Sequence, residues 1–329
     1  MRRKKRRADR KRRRIEFIRR FIPDYKRSHT IAEELSATVE SADGKDTVRH
    51  SKYWVYTVNS TAVFIIAYLI VYMIYQFTVL IVASRWRLDS VLFYYDLQFN
   101  DFSPLWNRLN IIVTTISGPV ISLLIGALML RFMANRFNTK KYTKLFMLWV
   151  GLHGYNLFLG AFASGTSFDE GFGYVAAWLY MNIFWKILIS LIFLFLLGWI
   201  GYSSASKFLD TSYSLSRVKA QNKVKFLFYQ AILPWFFGAL IIFLVRIPNN
   251  VPYDTGNLIT LAFAVIPTIF NRGAKPSKMF RLEKRQNRIK WIVIAVMVVI
   301  VLAYRLGLDN GLHFQIYYKL IFDFNVTPL

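Results

Sequence analysis

Residues 174–202 read YVAAWLYMNIFWKILISLIFLFLLGWIGY. Lys186 is the only charged residue in this run, which is longer than the roughly 20 apolar residues a bilayer-crossing helix needs. The stretch before it, residues 142–165, reads YTKLFMLWVGLHGYNLFLGAFASG and is also long enough to span. Residues 166–173 join the two, so the pair reads as a transmembrane hairpin. Counted from that turn, His153 lies twelve residues before Gly165, and Lys186 lies twelve after Tyr174. At 1.5 Å per residue each sits about 18 Å deep, slightly past the middle of the hydrocarbon core. Asn182, Lys186 and Ser190 recur every fourth residue and share one helix face. Packed antiparallel, the arms are expected to bring His153 to Lys186 and Asn156 to Asn182. Charge at that depth costs about 2.5–3.5 kcal/mol on insertion scales and is usually kept for function. The five residues His153, Asn156, Asn182, Lys186 and Ser190 form the candidate polar site. A charge partner for Lys186 would have to be a ligand, a lipid headgroup, or the turn's Asp169 or Glu170. The structural alternative is a lysine that snorkels and a histidine bonded across a helix contact.

The whole chain is 55% hydrophobic and 17% aromatic, yet carries a formal charge of +25. Apolar and basic residues separate along the sequence, as in a polytopic membrane protein. The expected fold is an all-α helix bundle in the membrane. It has about seven spans, starting near 61, 109, 142, 174, 226, 257 and 289, and a cytoplasmic N-terminus. Residues 1–52 are a basic arm and polar linker, 53–308 the bundle, and 309–329 a short extracytoplasmic tail along the interface. The sixth span, 257–270, contains Pro267 and is short enough to be re-entrant. Residues 84–108, rich in aromatics but interrupted by Asp89, Asp96 and Asp101, read as an interfacial or re-entrant element.

Orientation follows from lysine and arginine placement. With the N-terminus inside, 36 of the 43 fall in the segments 1–52, 131–144, 203–225 and 272–290, and six on the other side. Every loop then has the expected sign. With no cysteine in the chain, disulfides and thiolate chemistry are excluded. The first apolar run begins only near Val58, so the first span is expected to act as its own targeting signal. Together these features suit a multi-pass protein of a bacterial inner membrane.

The arm at 2–14 holds Arg2, Arg3, Lys4, Lys5, Arg6, Arg7, Arg10, Lys11, Arg12, Arg13 and Arg14 with one acid among them. Such a block stays solvated and binds anionic lipid headgroups, at about 1 kcal/mol per basic residue near the surface. Nucleic acid is the competing partner, but no recognition motif or stacking platform accompanies the arm. Gly118, Ser122 and Gly126 make a small-xxx-small series suited to close packing against another helix or another membrane protein.

Motifs for chemistry are sparse. His153 is followed by Gly154 and, four on, by Leu157, so no zinc-binding histidine pair forms. His29, His50 and His313 lie outside the spans. Gly171-Phe-Gly173-Tyr-Val-Ala176 matches a dinucleotide-type pattern but follows no strand, and its glycines read as the hairpin turn. Ser190, one turn from Lys186, reads as a packing contact rather than a serine–lysine dyad. No cofactor is expected. The run Ser117-Gly-Pro-Val-Ile-Ser122-Leu-Leu-Ile-Gly126 resembles the Ala-Gly-Pro-x-x-Asn-x-x-x-Ala helix of site-2-type intramembrane metalloproteases, and Asn156-Leu resembles the start of that family's later Asn…Asp-Gly motif. The His-Glu-x-x-His helix is missing, so this resemblance implies a catalytically degenerate relative. Three functions follow as expectations. The first is a non-enzymatic scaffold, anchor or regulator of a membrane complex. The second is a transporter or channel using His153 and Lys186, and the third is the degenerate protease.

Overall fold

Helix α1 (Ser51–Arg85) contains neither glycine nor proline, so nothing interrupts it for 35 residues, about 52 Å of rise. A computed structural model describes residues 51–100, 102–135, 140–213, 220–276 and 288–313. After α1 come strands β1 (Ser90–Leu92) and β2 (Leu97–Phe99), then α2 (Arg108–Asn135), α3 (Lys141–Phe168), α4 (Gly173–Trp178) and α5 (Ile183–Leu209). Helix α6 (Ala220–Leu227) runs through a π-helical turn, Phe228–Ile232, into α7 (Leu233–Arg246). A broken segment follows, made of α8 (Pro252–Thr260), α9 (Ala262–Val265) and a 3-10 turn, Ile266–Phe270. Helix α10 (Trp291–Gly307) and strand β3 (Leu312–His313) complete the described elements.

Six helical segments among the described residues are long and apolar enough to cross a membrane, and α10 is a shorter apolar helix. This is a multi-pass membrane protein built as a helix bundle. It is not purely α: β1 pairs antiparallel with β2 and with β3, Val91 facing both Gln98 and His313. The segment expected to lie as an interfacial or re-entrant element thus contains a β-hairpin. Its alternation of Val, Leu, Phe and Tyr suits a pleated, half-buried surface.

The hairpin arms are unequal. Of the most apolar window of α3, 78% is buried inside the protein, against 6% for α5. Helix α3 is therefore a core helix and α5 a peripheral one. The small residues explain how α3 gets so close to α2. A Cβ added at Gly154 would lie 2.5 Å from the Ser122 carbonyl oxygen and 2.7 Å from the Gly126 nitrogen. Gly126 in turn abuts the Gly151 carbonyl and the Tyr155 nitrogen. Gly118 packs under Tyr75 and Val79 of α1 instead. Lacking side chains, these positions let the backbones approach and exchange dispersion contacts, the main driving force between helices in lipid.

Side-chain bonds sort the loops into two ends of the bundle. At one end, Asn59 of α1 bonds Tyr142 and the Arg288 carbonyl, Lys223 donates to the Arg272 and Ala274 carbonyls, and Asn271 donates to the Tyr202 carbonyl. At the other end the three-stranded sheet, the turn at 169–172 and the connection 247–251 meet. The broken segment starts at this sheet end, where the Tyr253 N–H donates to Glu170, and finishes at the lysine-rich end. Its apolar path is 19 residues long, Pro252–Phe270. It starts five residues before the expected Asn257, because Asp254 lies in the first turn of α8, paired with Arg246, rather than in a loop.

We expect Gly154→Ala to cost about 1–3 kcal/mol, because the new methyl meets backbone that cannot move aside. Gly307, with open space around its Cα, should tolerate alanine within about 0.5 kcal/mol. Thermal unfolding in detergent measures both.

Candidate functional site

The polar cluster expected from the hairpin does not assemble. The depth count assumed one continuous helix from Tyr174, but α4 ends at Trp178 and Tyr180 takes a left-handed backbone conformation. Asn182 then caps α5 by accepting the Trp185 N–H. Lys186 therefore sits in the first turn of α5, where its Nζ lies 3.2 Å from Asp169 Oδ1. Asp169 is sixteen residues beyond His153, about 24 Å along the helix. His153 is buried in an aromatic box, its ring centroid 4.5 Å from that of Phe64 and 5.4 Å from that of Tyr68. Asn156 donates to the Asn257 carbonyl and accepts from Thr260, so its partners are on α8 rather than at Asn182. Ser190 is bonded to Thr166, 3.0 Å away. The basic arm, residues 2–14, lies outside the described residues.

What the structure does assemble lies at the sheet end. Tyr68, Tyr72 and Tyr75 recur at one-turn spacing on α1 and share a face. The Tyr68 and Tyr72 rings stack at 5.5 Å, and those of Tyr72 and Tyr75 at 6.3 Å. Against this stack lies a buried ion pair. Arg246 Nη1, at the end of α7, is 2.9 Å from Asp254 Oδ2 in the first turn of α8, with 2% and 4% of the side chains exposed. Tyr72 donates to the same carboxylate oxygen at 2.7 Å and receives a bond from Gln76. Arg246 Nη2 donates to the Tyr68 hydroxyl, and the guanidinium lies 4.7 Å from the Tyr72 ring centroid. Asp254 also profits from the positive end of the α8 dipole, where Pro252 opens the helix. A buried charge pair offsets its desolvation only with good geometry and further hydrogen bonds; Tyr68 and Tyr72 supply them here, while Arg246 Nε has no partner.

Above the pair opens a cleft of about 970 Å³, the larger of the two cavities that stand out among the described residues. Its floor is Tyr253 and Asp254, its walls come from β2, α2, α4 and the turn at 170–171, and Asp96 and Glu170 line it. Asp96, between β1 and β2, accepts the Leu97 N–H. Burial pushes its carboxyl up to about 7, from an ordinary value near 3.8, and the charges of Asp254 and Glu170 add to the rise. Among the described residues no lysine or arginine lines the cleft, and no three His, Asp or Glu side chains gather so as to hold a metal ion. Tyr68, Tyr72, Tyr75 and Gln76 at helical spacing were a legible signal that the first span buries a polar stripe. The pairing of Arg246 with Asp254, on either side of two prolines, was not.

No protein-family model matches this chain, and neither a curated protein nor a solved structure resembling it is found.

Removing one member of the buried pair leaves the other charge stranded. Arg246→Met and Asp254→Asn should each cost about 3–5 kcal/mol, and the double variant clearly less than their sum. A double-mutant cycle on unfolding in detergent tests this. Lys186→Met, which breaks a pair whose aspartate is 73% exposed, should change stability by less than about 1 kcal/mol.

Proposed function

We propose that this chain is a solute transporter of a bacterial inner membrane, and that the cleft above the Arg246–Asp254 pair is its solute site. The observation that carries the reading is that the floor of the cleft is also the start of the broken segment: Tyr253 and Asp254 belong to both. Discontinuous helices opening at a polar cavity are how many transporters present backbone and helix ends to a substrate. A cleft of this size falls within the range of small-ligand sites. The scaffold role expected from the sequence has no comparable feature behind it. The proposed site also differs from the one expected for a transporter, being built on Asp96, Glu170 and Asp254 rather than on His153 and Lys186.

In this reading the chain crosses seven times from a cytoplasmic N-terminus, α10 being the last crossing. The segregation of basic residues supports that orientation, because the lysine-rich end holds Lys141, Lys223 and Lys290 and the sheet end holds the cleft. Solute would then enter from the extracytoplasmic side. The basic arm would hold the cytoplasmic face on anionic lipid.

The natural chain lacks cysteine, so single cysteines report cleanly. Lys140→Cys and Asn100→Cys should be labelled by an impermeant maleimide from opposite faces of the membrane; labelling from one face would overturn the orientation. Solute binding is tested by thermal unfolding of the full chain in detergent with millimolar amino acids, sugars, carboxylates, alcohols and amines. At least one class should raise Tm, as ligand bound only to the folded state must. Thr115→Trp, which fills the cleft, should abolish the rise. No stabilisation by any class would overturn the solute-site reading.

A further inference from the structure

We infer that the cleft selects a small organic cation, a protonated amine with an apolar body, held by Asp96 and Glu170 between aromatic walls. This rests on the solute-site reading and names its ligand. The charge balance is the first ground. Three carboxylates line the cleft, and the one that has a cationic partner, Asp254, is neutralised by Arg246 from below. Asp96 and Glu170 remain, with no basic side chain among the described lining residues.

The second ground is the kind of polar atom the walls hold. Asp96 Oδ1 accepts the Leu97 N–H, and Glu170 Oε2 accepts the Tyr253 N–H at 3.2 Å. A carboxylate takes about four donors, so each has acceptor capacity to spare. The side-chain amide oxygen of Asn250, Oδ1, is buried without a partner, and so is the hydroxyl of Thr114, a fully buried residue; both residues line the cleft. An unpartnered buried polar atom is costly unless something reaches it. Oxygens that can accept dominate this set, so the complementary ligand is rich in N–H donors. An anion would meet repulsion here, and a neutral polyol would leave the carboxylates uncompensated.

The third ground is the apolar share. Trp106, Tyr174, Trp178 and Phe99 line the same space. Aromatic faces attract desolvated cations and give an apolar body surface to cover. The aromatic share, and the absence among the described residues of three carboxylate or imidazole groups gathered at one point, favour an organic ammonium over a bare metal ion.

Affinity should also depend on pH. A bound cation favours ionised Asp96, so binding tightens as pH rises through about 7. The groups acting on Asp96 are Asp254 and Glu170, which raise its pKa, and Arg246, which lowers it. The amine stays charged throughout this range.

The experiment is calorimetry on the purified full chain with phenethylamine, tryptamine and cadaverine, each beside its alcohol and carboxylate counterpart. At least one amine should bind at least tenfold tighter than its counterparts, with affinity rising about tenfold from pH 6 to pH 8 as Asp96 ionises. Asp96→Asn should weaken it at least tenfold and flatten the pH profile. Should that variant fail to fold, Glu170→Gln and the wild-type profile give the reading. If an alcohol or carboxylate binds as tightly, and Thr115→Trp blocks it, the solute site stands and the cation inference falls. If nothing binds, both fall. Titrations with sodium chloride and with magnesium chloride that displace no amine until screening concentrations separate an organic-cation site from one for simple metal ions; displacement by either salt at micromolar concentration would overturn the inference.

Discussion

A guanidinium and a carboxylate buried 2.9 Å apart govern the sheet end of this protein. Isolated, either charge would cost several kcal/mol in that environment. Tyr72 donates to the carboxylate, Tyr68 accepts from the guanidinium, and Gln76 holds the Tyr72 hydroxyl in place. The pair thus ties three helices, α1, α7 and α8, to one point. It also sets the path of the connection between α7 and α8, because both partners must turn inward from chain ends that would otherwise face the interface.

The cleft and the broken segment follow from that constraint. Once Asp254 is pinned, α8 starts inside the bundle rather than at its rim, and Tyr253 and Asp254 become a floor. Backbone that leaves regular helix at membrane depth needs partners inside the protein. The break after Thr260 has them: Asn156 of the core helix α3 bonds the Asn257 carbonyl and the Thr260 hydroxyl. Asn156 therefore has a defined task, though not the one its position in the hairpin suggested. Away from the cleft, α2 and α3 approach closely at Gly126 and Gly154, since only glycine leaves room for the backbones there.

Much of the architecture was legible because hydrophobicity and charge are local properties. The apolar runs, the interruption at Pro267 and the alternation of basic and non-basic loops can be read residue by residue. The small-residue series at Gly118, Ser122 and Gly126 was also visible, and the structure shows backbone and α1 side chains lying against it. The site was harder. Lys186 and His153 are the ionisable residues deepest in apolar sequence. Depth along the sequence is not depth in the bundle once a helix breaks at Tyr180. Arg246 and Asp254 looked like ordinary loop residues flanking Pro248 and Pro252, and nothing local marks them as partners.

By itself the sequence determined a multi-pass helix bundle, because that depends on composition and on the 3.6-residue helical period alone. Only the tertiary structure decided which polar residues meet. A pair such as Arg246 and Asp254, or a cleft lined jointly by Asp96, Glu170 and Tyr253, is assembled from separate elements. Its existence depends on where helices end and how closely they pack, and these are set by contacts across the whole bundle rather than by any one stretch of chain.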